Sequence, residues 1–151
     1  VMALCETAAY CKHQGMTLCD KMKELSEAYG YYREGLCTVI LKGQDGAKKI
    51  AAMMEGIRNN VPKEIGGLAV TQFRDYKADV LLNCKDGTKT ATGLPASNVL
   101  YFELEEGAWC CIRPSGTEPK IKFYIGVKGA GEEDAKKKLE SLTESVKSLA
   151  Q

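Results

Sequence analysis

Apolar residues recur with two different periods along this chain, and the change of period marks out its elements. Leu4, Ala8 and Cys11 share one helical face, and Gly15 stops the run. Thr17-Leu18-Cys19-Asp20 reads as a capping box opening a second helix. In it Leu18, Met22, Leu25 and Tyr29 fall at spacings of four, three and four before Gly30 ends it. The period then shortens. Leu36 to Leu41 is rich in β-formers and bounded by Gly35 and Gly43. From about Asp45 to Arg58 the helical period returns, with Ala47, Ile50, Ala51, Met54 and Ile57 expected on one buried stripe and Asn59-Asn60 and Pro62 at its end. Met53 and Met54 read as core filler.

Beyond Leu68 the pattern is that of strands. Leu68 to Tyr76 and Val80 to Cys84 are candidates, Asp86-Gly87 is a turn, and the polar run Lys85 to Thr92 is expected to be mobile. Asn98 to Leu104 alternates, with Leu100, Phe102 and Leu104 on one face. Glu105-Glu106-Gly107 turns it into Ala108 to Ile112, predicting a hairpin. After a loop at 113–119, Ile121, Phe123, Ile125 and Val127 point one way and Lys122, Tyr124 and Lys128 the other. The last element is an amphipathic helix opened by Glu132, Glu133 and Asp134, acids that suit a helix N-terminus. Its stripe is Ala135, Leu139, Leu142, Val146 and Leu149, and Lys136-Lys137-Lys138 is its solvated first turn. The expected fold is α+β: a largely antiparallel sheet with helices packed on one face, preceded by a short helical segment. The one shift of texture worth a boundary lies near Gly30, dividing a helical segment at 1–30 from an α+β domain at 31–151. The start at Val1, in or beside a helix, reads as a chain cut from something longer.

Composition narrows the function classes. The 151 residues are 44% hydrophobic and 27% charged, enough for one buried core. A formal net charge of +1 gives no global reason to expect nucleic acid or an anionic membrane. No run approaches the roughly 18 apolar residues of a membrane-spanning helix, and Val1 to Glu6 lacks the basic start of a secretory signal. Seven cysteines (Cys5, Cys11, Cys19, Cys37, Cys84, Cys110 and Cys111) show no C-x-x-C spacing, and His13 is the single histidine, so no zinc set is on offer. Reduced, mostly buried thiols and a cytoplasmic location are expected. A Cys–His enzyme stays open as a third reading. Gly43-Gln44-Asp45-Gly46 has one carboxylate, too few for a metal loop, and reads as a turn with a helix start.

The candidate chemistry gathers in Arg113-Pro114-Ser115-Gly116-Thr117-Glu118-Pro119, with Lys122 just beyond. Arg offers a planar fork of donors matched to phosphate or carboxylate. Ser115 and Thr117 add hydroxyls, and a Ser-Gly-Thr turn aims successive backbone N–H groups into one concavity. Gly116 is expected to permit a positive φ and close approach of a ligand. Each residue alone is also ordinary turn chemistry; the combination, between two apolar strands, points to an oxyanion. A P-loop is excluded, because its glycine-rich run ends in Gly-Lys-[Ser/Thr] and opens a helix, whereas a strand follows here.

Arg113 to Tyr124 resembles the C-terminal phosphate-binding loop of the α-D-phosphohexomutase family, nearest to bacterial phosphoglucomutases and phosphomannomutases. Leu94 to Glu103 resembles the family strand before that loop, Tyr31 to Glu34 through Lys42 to Gly46 the entry to the same last domain, and residues 1–30 the helical end of the preceding one. The resemblance implies a four-domain enzyme. A phosphoserine beside Mg²⁺ passes its phosphoryl group to a sugar phosphate, and a bisphosphate intermediate turns around. It further implies a last domain with the architecture of TATA-binding protein, without DNA binding. Arg113, Ser115, Gly116, Thr117 and Lys122 match the family clamp on the non-reacting phosphate, Lys122 standing where many relatives carry Arg.

The family's serine loop, metal loop and sugar-selecting loop have no counterpart in these residues, and Ser115 belongs to the clamp. A catalytically silent C-terminal fragment is therefore expected, with Mg²⁺ held elsewhere and a phosphosugar and the remaining domains as partners. A stand-alone anion-binding or regulatory module is the alternative. Glucose, mannose, glucosamine and pentose phosphates are not separated by these residues.

Overall fold

A computed structural model describes residues 1–41 and 45–149. Helices α1 (Met2–His13) and α2 (Leu18–Tyr29) come first. The capping box is formed: Thr17 accepts from the Asp20 backbone N–H at 3.1 Å, and Asp20 accepts from the Thr17 N–H at 2.9 Å. Strand β1 (Tyr31–Ile40) is longer than the β-rich run alone predicts, because all ten of its residues pair with β8 (Lys120–Gly129). The expected boundary at Gly43 and the start of the Gly43–Gly46 turn lie outside the described residues.

Helix α3 (Gly46–Asn59) buries Gly46, Ile50, Met54 and Ile57, while Ala47 and Ala51 are exposed, against expectation. Gly46 lets the start of the helix come close to the neighbouring chain. A Cβ there would lie 2.0 Å from the Leu41 carbonyl oxygen and 3.1 Å from Pro119 Cβ. Two short strands were not expected. β2 (Glu64–Ile65) pairs with β3 (Leu68–Asp75) through Gly66 and Gly67, both at positive φ as a two-residue hairpin turn of the primed type requires. β5 (Lys89–Thr90) pairs with β4 (Val80–Asn83), so part of the polar 85–92 run is paired strand.

β6 (Leu100–Leu104) and β7 (Trp109–Pro114) form the expected hairpin, joined by a 3₁₀ turn at Glu105–Gly107. The sheet order is β1-β8-β7-β6-β3-β4-β5, with β2 on β3, and the paired strands are antiparallel. Helix α4 (Glu132–Ser148) buries Ala135, Leu142 and Val146 and packs Leu139 and Leu149 on the core's edge. Ile121, Phe123, Ile125, Phe102, Leu100 and Ile112 from the sheet join α3 and α4 in one apolar cluster. The fold is α+β with helices on one face.

That arrangement leaves the other sheet face open. Tyr101 and Trp109 stack there at 5.8 Å, Arg74 lies over Tyr101, and a Cβ at Gly126 would meet the Trp109 indole at 2.1 Å. Lys122 and Tyr124 emerge on the same face, beside the 115–119 loop.

Candidate anion-binding site

Arg113 and Lys122 are register partners on β7 and β8, and both project to the open face. Residues directly opposite on antiparallel strands have Cβ atoms about 4.5–5.5 Å apart, and like charges there repel. No acid among the described residues pairs with either cation. Two such cations side by side are a candidate place for an anion.

The loop beyond them is built by the strand ends. The Ser115 N–H donates to the Lys120 carbonyl at 2.8 Å and closes its mouth. Lys120 N–H donates back to the Glu118 carbonyl at 2.7 Å, a three-residue turn around Pro119 whose fixed φ suits it. Leu41 N–H donates to the Pro119 carbonyl at 2.9 Å, tying the loop to the chain that leads into α3. Among the described residues, the N–H groups of Gly116 and Glu118 have no protein acceptor, and that of Thr117 reaches only Ser115 Oγ at 3.5 Å. The residues that carry these unspent donors line a shallow concavity of about 300 Å³, together with Arg113, Pro114, Ser115, Lys120, Lys122 and Tyr124.

The structure thus brings together Arg113, Ser115, Gly116, Thr117 and Lys122. It also corrects one expectation: Gly116 does not adopt a positive φ, and a Cβ on it would meet nothing within 4 Å. The backbone itself would accept a side chain there; only the approach of a ligand is a reason for glycine. Glu118, in the candidate loop, and Tyr124, outward by alternation, also line the concavity without having been assigned a role, and the same alternation turns Lys120 outward.

A larger groove of about 620 Å³ runs between α2 and β1, past Met22, Tyr31, Arg33 and Glu132. Arg33 in it is already satisfied by Glu132 at 2.5 Å. Volume alone would favour it; the convergent unpaired donors favour the loop. His13 is exposed and is hydrogen-bonded to no cysteine among the described residues. Among those residues no three His, Cys, Asp or Glu side chains come together as metal ligands would. No helix of the described residues is long and apolar enough to cross a membrane.

A one-sided antiparallel sheet with a cationic loop at the end of its seventh and eighth strands defines an α+β domain. Comparison with known proteins gives that class a family. Residues 44–141 match the family described as phosphoglucomutase/phosphomannomutase, C-terminal domain, and the chain belongs to that family. It is 38% identical over 116 residues to a phosphoglucomutase of Staphylococcus haemolyticus (strain JCSC1435), covering 77% of this chain and 21% of that protein. It is 35% identical over 135 residues to a phosphoglucomutase of Staphylococcus aureus (strain USA300), covering 89% of this chain and 24% of that protein. The chain therefore spans about a quarter of the length of these curated relatives.

Proposed function

We propose that this chain is the C-terminal part of a phosphoglucomutase-type enzyme, in which the 113–122 loop holds the substrate phosphate that is not reacting. The carrying observation is the register pair Arg113 and Lys122, two cations without an acid partner beside unspent loop amides. In this reading Arg113 supplies the fork, Ser115 and Thr117 their hydroxyls, Gly116 its N–H and Lys122 a point charge. The intact enzyme would interconvert glucose 1-phosphate and glucose 6-phosphate through a phosphoserine and a bisphosphate. Glucose rather than mannose follows the names of the relatives. The phosphoserine and the Mg²⁺ site would belong to the rest of the enzyme, and this domain would orient substrate and exclude water.

Residues 1–30 would be the helical end of the preceding domain. Leu4, Tyr10, Leu18, Met22, Leu25 and Tyr29 are all exposed on α1 and α2, as a pair of helices torn from its neighbours would leave them. A matched span of 135 residues in a chain of 151 necessarily includes α2, while the match to the family's C-terminal domain starts at residue 44. The seven free cysteines support a cytoplasmic setting.

Affinity should be weak for this part alone. A charged hydrogen-bonded contact contributes about 1.5–3 kcal/mol and neutral ones about 1 each, against an association cost of at least about 4 kcal/mol. The expected Kd for glucose 1-phosphate is near millimolar, equivalent to about −4 kcal/mol. An NMR amide titration checks it, with plain glucose as control. Shifts centred on Ser115, Gly116, Thr117 and Lys122, lost in a folded Arg113→Ala chain, are the expected outcome. Micromolar binding, or shifts centred elsewhere, would contradict the reading.

A further inference from the structure

The sequence reading counted two cations for the loop, but its concavity is lined by three. Lys120 stands on the same open face as Lys122 and Tyr124, two residues back along β8. Its Nζ pairs with the Glu118 carboxylate, the one acid lining the concavity. We infer that Lys120 is a third cation of the phosphate clamp and that Glu118 is its built-in counter-ion, displaced when a phosphate monoester arrives. This rests on the proposed phosphate-binding reading of the loop.

The two partners are held very differently. Lys120 is fixed by its backbone: its carbonyl accepts from Ser115, its N–H donates to Glu118, and it sits in register with Ile40 on β1. Its side chain is only 29% exposed. The Glu118 side chain is 59% exposed, and among the described residues Lys120 is its only ion-pair partner. The cation is built into the wall, while the acid lies in solvent and is free to swing away. Charge matches this division. With Glu118 in place, Arg113, Lys120 and Lys122 leave the concavity at a net +2, which suits a phosphate monoester of about −1.5 to −2 at neutral pH. Lys120 also holds the Glu118 carboxyl below the usual carboxylate range, so the counter-ion stays charged at neutral pH.

A merely structural pair would stiffen the turn instead. The two roles differ in sign. If the pair only shapes the loop, breaking it from either side weakens phosphate binding. If Glu118 competes with phosphate for Lys120, E118Q tightens binding and K120Q weakens it, each by about threefold, as suits an exposed ion pair. The experiment is an NMR titration of the 151-residue chain and its variants with glucose 1-phosphate at constant ionic strength. It follows the loop amides and the Lys120 side-chain Cε–H resonances. Opposite signs, a Lys120 shift with the same midpoint as the loop amides, and retained binding in K120R are the expected result. Equal signs, or a Lys120 side chain that does not respond while the loop amides move, would overturn the counter-ion role and leave the clamp standing. No response at the loop in any of the chains would overturn both.

Discussion

Cys110 and Cys111 show how much one residue of displacement decides in a strand. Cys110 faces the core at 0% exposure, and burial pushes its thiol up to about 12. Cys111 faces the open sheet; burial raises its thiol too, while the nearby Arg113 charge pulls the other way. Since the thiolate is the reactive form, a thiol reagent at neutral pH should label the exposed Cys5 and Cys19 first and leave Cys110 unmodified until the chain unfolds. Mass spectrometry of the labelled chain checks this order. Rapid native labelling of Cys110 would revive a cysteine-based chemistry. The opposite facing of these two residues was legible from alternation alone. That the thiols would be mostly buried was only partly right: Cys11, Cys37 and Cys110 are buried, Cys84 and Cys111 are intermediate, and Cys5 and Cys19 are exposed. Gly116 was misread because a turn sequence specifies where glycine is allowed, not the φ it takes.

Among the elements, those with long uninterrupted periods were legible and those with a break in period were not. Strands β6 and β8 bury the residues that their spacing predicts, and helix α4 buries Ala135, Leu142 and Val146 of its predicted stripe, with Leu139 and the adjoining Leu149 only partly buried. Strand β3 does not alternate, since Val70, Phe73 and Asp75 are its buried residues. A register shift against β6 between Val70 and Gln72 accounts for it: the extra residue at Thr71 moves the following side chains to the other face. The same strand ends in a contact that no local pattern announces. Arg58 of α3, with its side chain 10% exposed, reaches Asp75, 6% exposed, at 3.0 Å from Nε. Asp75 also accepts the Lys77 N–H at 3.0 Å, so one carboxylate fastens the end of the helix to the turn after β3. Removing one partner of a buried pair costs about 3–5 kcal/mol, because the other charge is left uncompensated. Arg58 keeps a second carboxylate, Glu55, at 2.9 Å, so Asp75→Asn should lose about 1.5–3 kcal/mol in urea unfolding, the worth of a charged hydrogen bond, whereas breaking the exposed Lys21–Glu24 pair should be near neutral.

At the scale of the whole molecule, β1 and the loop belong to different orders of sequence distance. Tyr31 pairs with Gly129 and Ile40 with Lys120, so the edge of the sheet is sealed by the longest-range pairing described above. Arg113, Ser115, Gly116, Thr117, Lys120 and Lys122, by contrast, all lie on the single hairpin of β7 and β8. Closing a long chain loop costs entropy before its contacts repay it. The hairpin is therefore expected to nucleate, with β1 arriving after the barrier. Stopped-flow kinetics should show Ile112→Val slowing folding and Cys37→Ala chiefly speeding unfolding. The groups proposed to hold an anion are thus written into one contiguous stretch expected to take shape before the chain has found its ends, and a lesion in β1 would shorten the lifetime of the finished site without preventing its birth.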